Sequence, residues 1–164
     1  MGNNSIINQL TPIKILENVK EFSSYAGVSG AITTNGDLYC WGLNWGGHVG
    51  NGTTENQLIP VKILENIKVC SIESEISGAI TTNADLYCWG RNVHGAVGNG
   101  TTNDQLTPVK VLSSVKCFTA YDTNKAITAN GDLYCWGLNS YGQVGNGTTV
   151  NQLTPLKILE NVKT

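Results

Sequence analysis

The chain has 164 residues, 13% of them charged and 40% hydrophobic, with 19 glycines and a formal net charge of −2. That length suits one ordinary domain, and the composition suits a turn-rich globular β protein rather than a disordered tail. The charge excludes the electrostatic footprint of a nucleic-acid binder: Lys14, Lys62, Lys110 and Lys157 stand singly among apolar residues, three of them close to Glu17, Glu65 and Glu160.

The amino terminus, MGNNSIINQL, has neither the basic start nor the apolar core of a secretion signal, and no stretch is long enough to cross a bilayer. A soluble, cytoplasmic chain with no membrane partner is expected. The first element follows at TPIKILENVKEF. Ile15, Leu16, Val19 and Phe22 fit a helical spacing, but the unit is too short for a helix as well as a hairpin and a loop. We expect an extended piece, a turn near Glu17-Asn18 and then a strand. Ala31 to Gly42, AITTNGDLYCWG, reads as a β-hairpin whose Asn35-Gly36 pair suits a type I′ turn. Asn130-Gly131 repeats that pair, whereas the middle copy carries Asn83-Ala84, so its hairpin is expected to be the weakest or to use another turn. On the second strand Leu38 and Cys40 face one way and Tyr39 and Trp41 the other. Both faces are apolar, as in a sheet sandwiched between two others.

These elements recur. Trp41, Trp89 and Trp136 head identical WG pairs, and Pro12, Pro60, Pro108 and Pro155 keep the same interval. A fixed period of this length marks a unit that must stack on its neighbours to bury its faces. Taking the chain as a single repeat domain over residues 1–164, we count units at about 8–55, 56–103 and 104–150, with a fourth partial unit at 151–164. That last piece, NQLTPLKILENVK from Asn151, repeats NQLTPIKILENVK from Asn8 almost unchanged. Trp41, Trp89 and Trp136, Gly42, Gly90 and Gly137, and Cys40, Cys88 and Cys135 form the expected structural core of the repeat. The cysteines suit packing, because no CxxC or Cys/His ligand spacing accompanies them.

At LYCWGLNxxGxVGNGTTxNQLTPxK the sequence resembles the repeat of the regulator of chromosome condensation family, matching at Trp41, Gly42, Asn44, Gly47, Gly50 and Gly52 and again in the two later copies. The resemblance implies an all-β fold: a β-propeller of four-stranded antiparallel blades, normally seven in a ring. Two departures stand out. The family's histidine-containing approach to the Ala-Leu strand is replaced by YAGVSGAI, ESEISGAI and YDTNKAI, and there are three units, an incomplete ring. Such a ring closes by oligomerisation or as part of a longer propeller. The fourth copy of the NQLTPxKILENVK segment is what either a longer array or an exchange of end strands between chains would leave.

Differences between copies concentrate in the loop after WGLN or WGRN. It carries Trp45 and His48 in the first unit, Arg91 and His94 around the second, and Tyr141 and Gln143 in the third. Equivalent propeller loops emerge on one face, and Trp, Arg and Tyr are favoured at binding hot spots, so these six residues form the candidate binding face. A second variable stretch holds Tyr25, then Glu73 and Glu75, then Tyr121 and Asp122. With no opposing acid, base or ligand beside them, Glu73 and Glu75 read as a solvated acidic patch. No catalytic residue, metal site or cofactor is expected. The expected function is a non-enzymatic protein-interaction scaffold, its partner unknown, that self-associates to complete a ring. The family also includes a guanine-nucleotide exchange factor for a small nuclear GTPase, so exchange activity is the alternative from another class. A purely structural or engineered repeat fragment is the third.

Overall fold

The computed structural model describes residues 2–73 and 75–162; Met1, Ser74 between the two glutamates, and Lys163 and Thr164 at the end of the fourth partial unit lie outside the described residues. Twelve strands form three four-stranded antiparallel sheets. In the first, β1 (Val19–Tyr25), β2 (Val28–Thr33), β3 (Leu38–Gly42) and β4 (Gln57–Leu64) pair in chain order. β5 (Ile67–Ile72), β6 (Ile76–Thr81), β7 (Leu86–Gly90) and β8 (Gln105–Leu112) make the second. The third holds β9 (Val115–Thr119), β10 (Thr123–Thr128), β11 (Leu133–Gly137) and β12 (Gln152–Leu159). The sheets are the blades of an open propeller. No helix among the described residues is long and apolar enough to cross a membrane.

Two apolar layers join the blades. Ile32, Leu38 and Cys40 of the first blade meet Ile67, Ile72 and Trp89 of the second; Ile80, Leu86 and Cys88 of the second meet Val115, Ala126 and Trp136 of the third. The period-2 alternation of LYCWG therefore sends Leu and Cys forward and Tyr and Trp back, as expected for a doubly covered strand. Trp89 and Trp136 are fully buried, and each indole N–H donates to a carbonyl of the preceding blade's loop: His48 O at 3.0 Å and Ala96 O at 2.9 Å. Burying a tryptophan removes about 150–250 Å² from water, several kcal/mol gross at about 25 cal/mol/Å².

The extended segment after each loop is the fourth strand of one blade and leads, through a two-residue turn, into the first strand of the next. Asn66 and Ser114 turn the chain there with φ of 59° and 60°, and Asn18 and Asn161 do the same with 55° and 57°. The extended reading of TPIKILENVK thus holds for its later copies. The hairpin turn differs from expectation. Gly36 N–H donates to Thr33 O at 2.9 Å, and only Gly36, with φ of 89°, is left-handed. This is a type I turn followed by a left-handed residue, not a type I′ turn, which would need Asn35 left-handed too. The middle copy keeps the turn, forcing Ala84 to φ of 64°. The reason lies in the next blade: Ile67, Val115 and Val162 N–H each donate at 2.8 Å to the carbonyl of Gly36, Ala84 and Gly131, so the turn is part of the blade junction.

Residues 2–18 form no strand, yet they occupy the position of a preceding repeat's end. An added Cβ on Gly2 would lie 2.7 Å from Trp41 Nε1, as one on Gly50 would lie 2.6 Å from Trp89 Nε1 and one on Gly98 2.7 Å from Trp136 Nε1. Asn4 N–H donates to Leu58 O at 2.8 Å, matching Gly52 to Leu106 and Gly100 to Leu153. Trp41 is half-buried, and among the described residues no loop carbonyl accepts from its indole and no β-hairpin packs on its outer side.

Candidate functional site

Each WG pair is followed by a loop tied around one asparagine. Asn44 is fully buried; its amide donates to Thr53 O at 2.9 Å and Glu55 O at 3.0 Å, and its oxygen accepts from Val49 N–H at 2.8 Å. Asn92 and Asn139 repeat the pattern with Thr101, Asn103 and Val97, and with Thr148, Val150 and Val144. A buried amide with all its groups engaged fixes a loop that contains no regular structure. In the NGT triplets, Asn51, Asn99 and Asn146 accept from the N–H and hydroxyl of Thr53, Thr101 and Thr148, so these residues shape the backbone.

On this scaffold the first two loops converge. The Arg91 guanidinium carbon lies 5.1 Å from the Trp45 ring centre, and the Trp45 and His48 rings meet edge to face at 5.0 Å. Arg91 Nη1 donates to Glu75 Oε2 at 2.6 Å. A cation over an indole and a carboxylate on the same guanidinium hold Arg91 in one orientation, with Trp45 half-exposed above it. The ion pair is the main cause that keeps the Arg91 guanidinium's pKa raised.

His48 is fully buried, so within this cluster it supports Trp45 from beneath. Its Nδ1–H donates to Glu75 O at 3.0 Å, which leaves Nε2 as a buried nitrogen without a hydrogen-bond partner. Burial lowers the His48 pKa from its ordinary value, against the opposing pull of the Glu75 carbonyl and nearby carboxylates. The neutral imidazole is the resident form.

The other three loop residues are placed differently. Tyr141 is 90% exposed, with its N–H bonded to Gln143 Oε1 at 2.8 Å. His94 and Gln143 are half-buried, and among the described residues no hydrogen bond, ion pair or ring contact joins His94, Tyr141 or Gln143 to the Trp45 cluster. The structure thus brings Trp45, His48 and Arg91 together and leaves the rest as separate loop tips. Glu75 belongs to the cluster and was not legible as such. The solvated reading of the acidic pair fails: both glutamates are half-buried and Glu75 is ion-paired, because the loop before β6 folds back over the first blade's histidine. Cys40 and Cys88 lie in the two layers between blades and Cys135 is buried within the third blade; burial pushes all three thiols up. No group of three or more metal-ligating side chains gathers among the described residues.

The family model of the regulator of chromosome condensation (RCC1) repeat matches residues 35–74, 83–120 and 130–164. A comparison with curated protein sequences gives no match. Among solved structures, Prp20p from Saccharomyces cerevisiae, described together with its binding to Gsp1p and histones, superposes with a TM-score of 0.78 at 23% identity, over 89% of this chain and 39% of its own. Human WBSCR16 also gives a TM-score of 0.78, at 17% identity over 91% of this chain and 40% of its own. These likenesses carry the fold, and the chain spans about two-fifths of the length of either protein.

Proposed function

The chain belongs to the regulator of chromosome condensation repeat family, and from that premise we propose that it is a non-catalytic scaffold that captures a protein partner on its loop face and associates with itself. The observation that carries the reading is the Trp45–Arg91–Glu75 group: a half-exposed indole held rigid by a cation and a buried histidine. Large aromatic and guanidinium groups fixed before binding lose little entropy when a partner covers them, which is why they dominate hot spots. Tyr141 adds a second exposed anchor on a neighbouring loop. Prp20p, which shares the fold, is described by its binding to Gsp1p and histones, so protein partners suit blades of this kind.

The test replaces Trp45, Arg91 and Tyr141 with alanine together. The triple variant is expected to keep its circular dichroism and unfolding cooperativity while losing the proteins that the parent chain retains from a cell extract. Equal retention by both would reject the loop face as the binding surface.

A further inference from the structure

Residues 8–20 and 151–163 agree at twelve of thirteen positions, differing only at Ile13 and Leu156. The second copy supplies the fourth strand of a blade; the first has the same pattern, and no hairpin among the described residues pairs with it. Everything around the first copy is already in place. Gly2 covers Trp41, Asn4 bonds Leu58, and Asn18 O accepts from Thr34 N–H at 2.7 Å, as Asn66 O does from Thr82 N–H at 2.7 Å.

Charge tells the same story. Lys62, Lys110 and Lys157 reach Asp37, Asp85 and Asp132, the residues that open the second hairpin strand of their own blades, at 2.9, 2.7 and 3.7 Å. Lys14, at the equivalent position, pairs among the described residues only with Glu17, at 2.6 Å. Among the described residues no hairpin aspartate meets it, and the fourth strand nearest to residues 9–16 in sequence is β12, on β10–β11, which differs only at Leu156, whereas β4 and β8 each differ at two positions.

We propose that residues 9–16 of one copy replace β12 on β11 of a second copy, with Lys14 taking Asp132, so that the chains join head to tail. The reciprocal exchange in a dimer closes six blades, within the four to eight that form propeller rings. Because the incoming strand nearly duplicates the outgoing one, the strand pairing itself costs little. The gain is the covered flank. Phe22 is 78% exposed on β1, whereas Phe118, its equivalent on β9, packs against Gly78. Lys125 stands on β10 where Gly30 and Gly78 stand in the other blades; its exposed stem must swing aside as Phe22 arrives. This inference rests on the self-association proposed above and names its contact.

In β11–β12, Cys135 lies opposite Leu156 and Tyr134 opposite Lys157, so exchange would set Ile13 against Cys135 and Lys14 against Tyr134. The full chain carrying I13C, with the exposed Cys117 replaced by serine, is refolded at high concentration, oxidised and run without reductant, beside I13S as control. A second variant, K14C with Y134C in the same background, covers the alternation between wide and narrow pairs in an antiparallel ladder. The expected result is a disulfide-linked dimer at least tenfold more abundant than in the control in one of the two variants, with residue 13 joined to 135 or 14 to 134 by peptide mapping. A dimer by light scattering without either bond would overturn the exchange while leaving self-association standing. A monomer at every concentration would overturn both.

Discussion

Leu10 and Leu153 occupy the same place in two nearly identical segments, yet Leu10 is 97% exposed and Leu153 packs beneath Gly95 of the preceding blade's loop, where even an added Cβ would come within 2.4 Å of its Cδ2. Gln152–Leu159 is a strand because β11 lies beside it; residues 9–16 have the same propensities and no such neighbour. The difference shows that β-structure here comes from the partner, since a lone strand leaves its N–H and C=O groups without a ladder and its apolar face in water. A similar contrast separates Trp41, half-buried against residues 2–18, from Trp89 and Trp136, which a preceding blade covers completely.

The largest test of that contrast is tryptophan removal. Trp89→Ala is expected to cost about 3–5 kcal/mol in urea unfolding, because it opens a cavity and removes one of the two hydrogen bonds to the His48 carbonyl, leaving that from the Ser77 hydroxyl. Trp41→Ala should cost less than half as much; equal losses would mean that residues 2–18 cover blade one as well as a true blade would. Next, Leu156→Ala should destabilise by about 1–2 kcal/mol and Ile13→Ala by no more than about 0.5 kcal/mol in the monomer. The turns give a smaller effect. Ala84→Gly should stabilise the chain by about 0.5–1 kcal/mol, and Gly36→Ala should do the reverse, read from the shift in urea midpoint.

The smallest effect is on pH. The folded chain holds the His48 pKa below 6.5, so the unfolded chain takes up the proton first. The stability contribution is intact above that value and is lost as pH falls through it toward the folded value. His48→Gln, which copies Gln143 of the third unit, should flatten the thermal-midpoint profile below pH of about 6.5 relative to the parent. An unchanged slope would place the acid sensitivity elsewhere.

Much of the fold was legible because it is written in short-range pattern. The 2-residue alternation of LYCWG fixed which side chains face each blade, and Asn-Gly marked the hairpins. The turn type was not legible, since Gly36 answers to the next blade as well as to its own strands. Asn44 stood in the recognised motif with no role assigned, because its partners lie across an irregular loop. At the candidate site, Trp45 and Arg91 were both picked out as loop residues from adjacent repeats. Glu75 was not, because its contact with Arg91 depends on how the loop before β6 crosses the blade junction.

The sequence by itself determined the repeat, the strands that pair with near neighbours, the buried tryptophans and the family, all of which depend on residues close together or on identical words at a fixed interval. The tertiary structure decided which copy of NQLTPxKILENVK becomes a strand, that His48 is a support beneath Trp45, and that Arg91 is shared between an indole and a carboxylate. Those outcomes depend on what stands beside a segment, and two segments that differ in a single side chain fold differently when only one of them lies beside a hairpin.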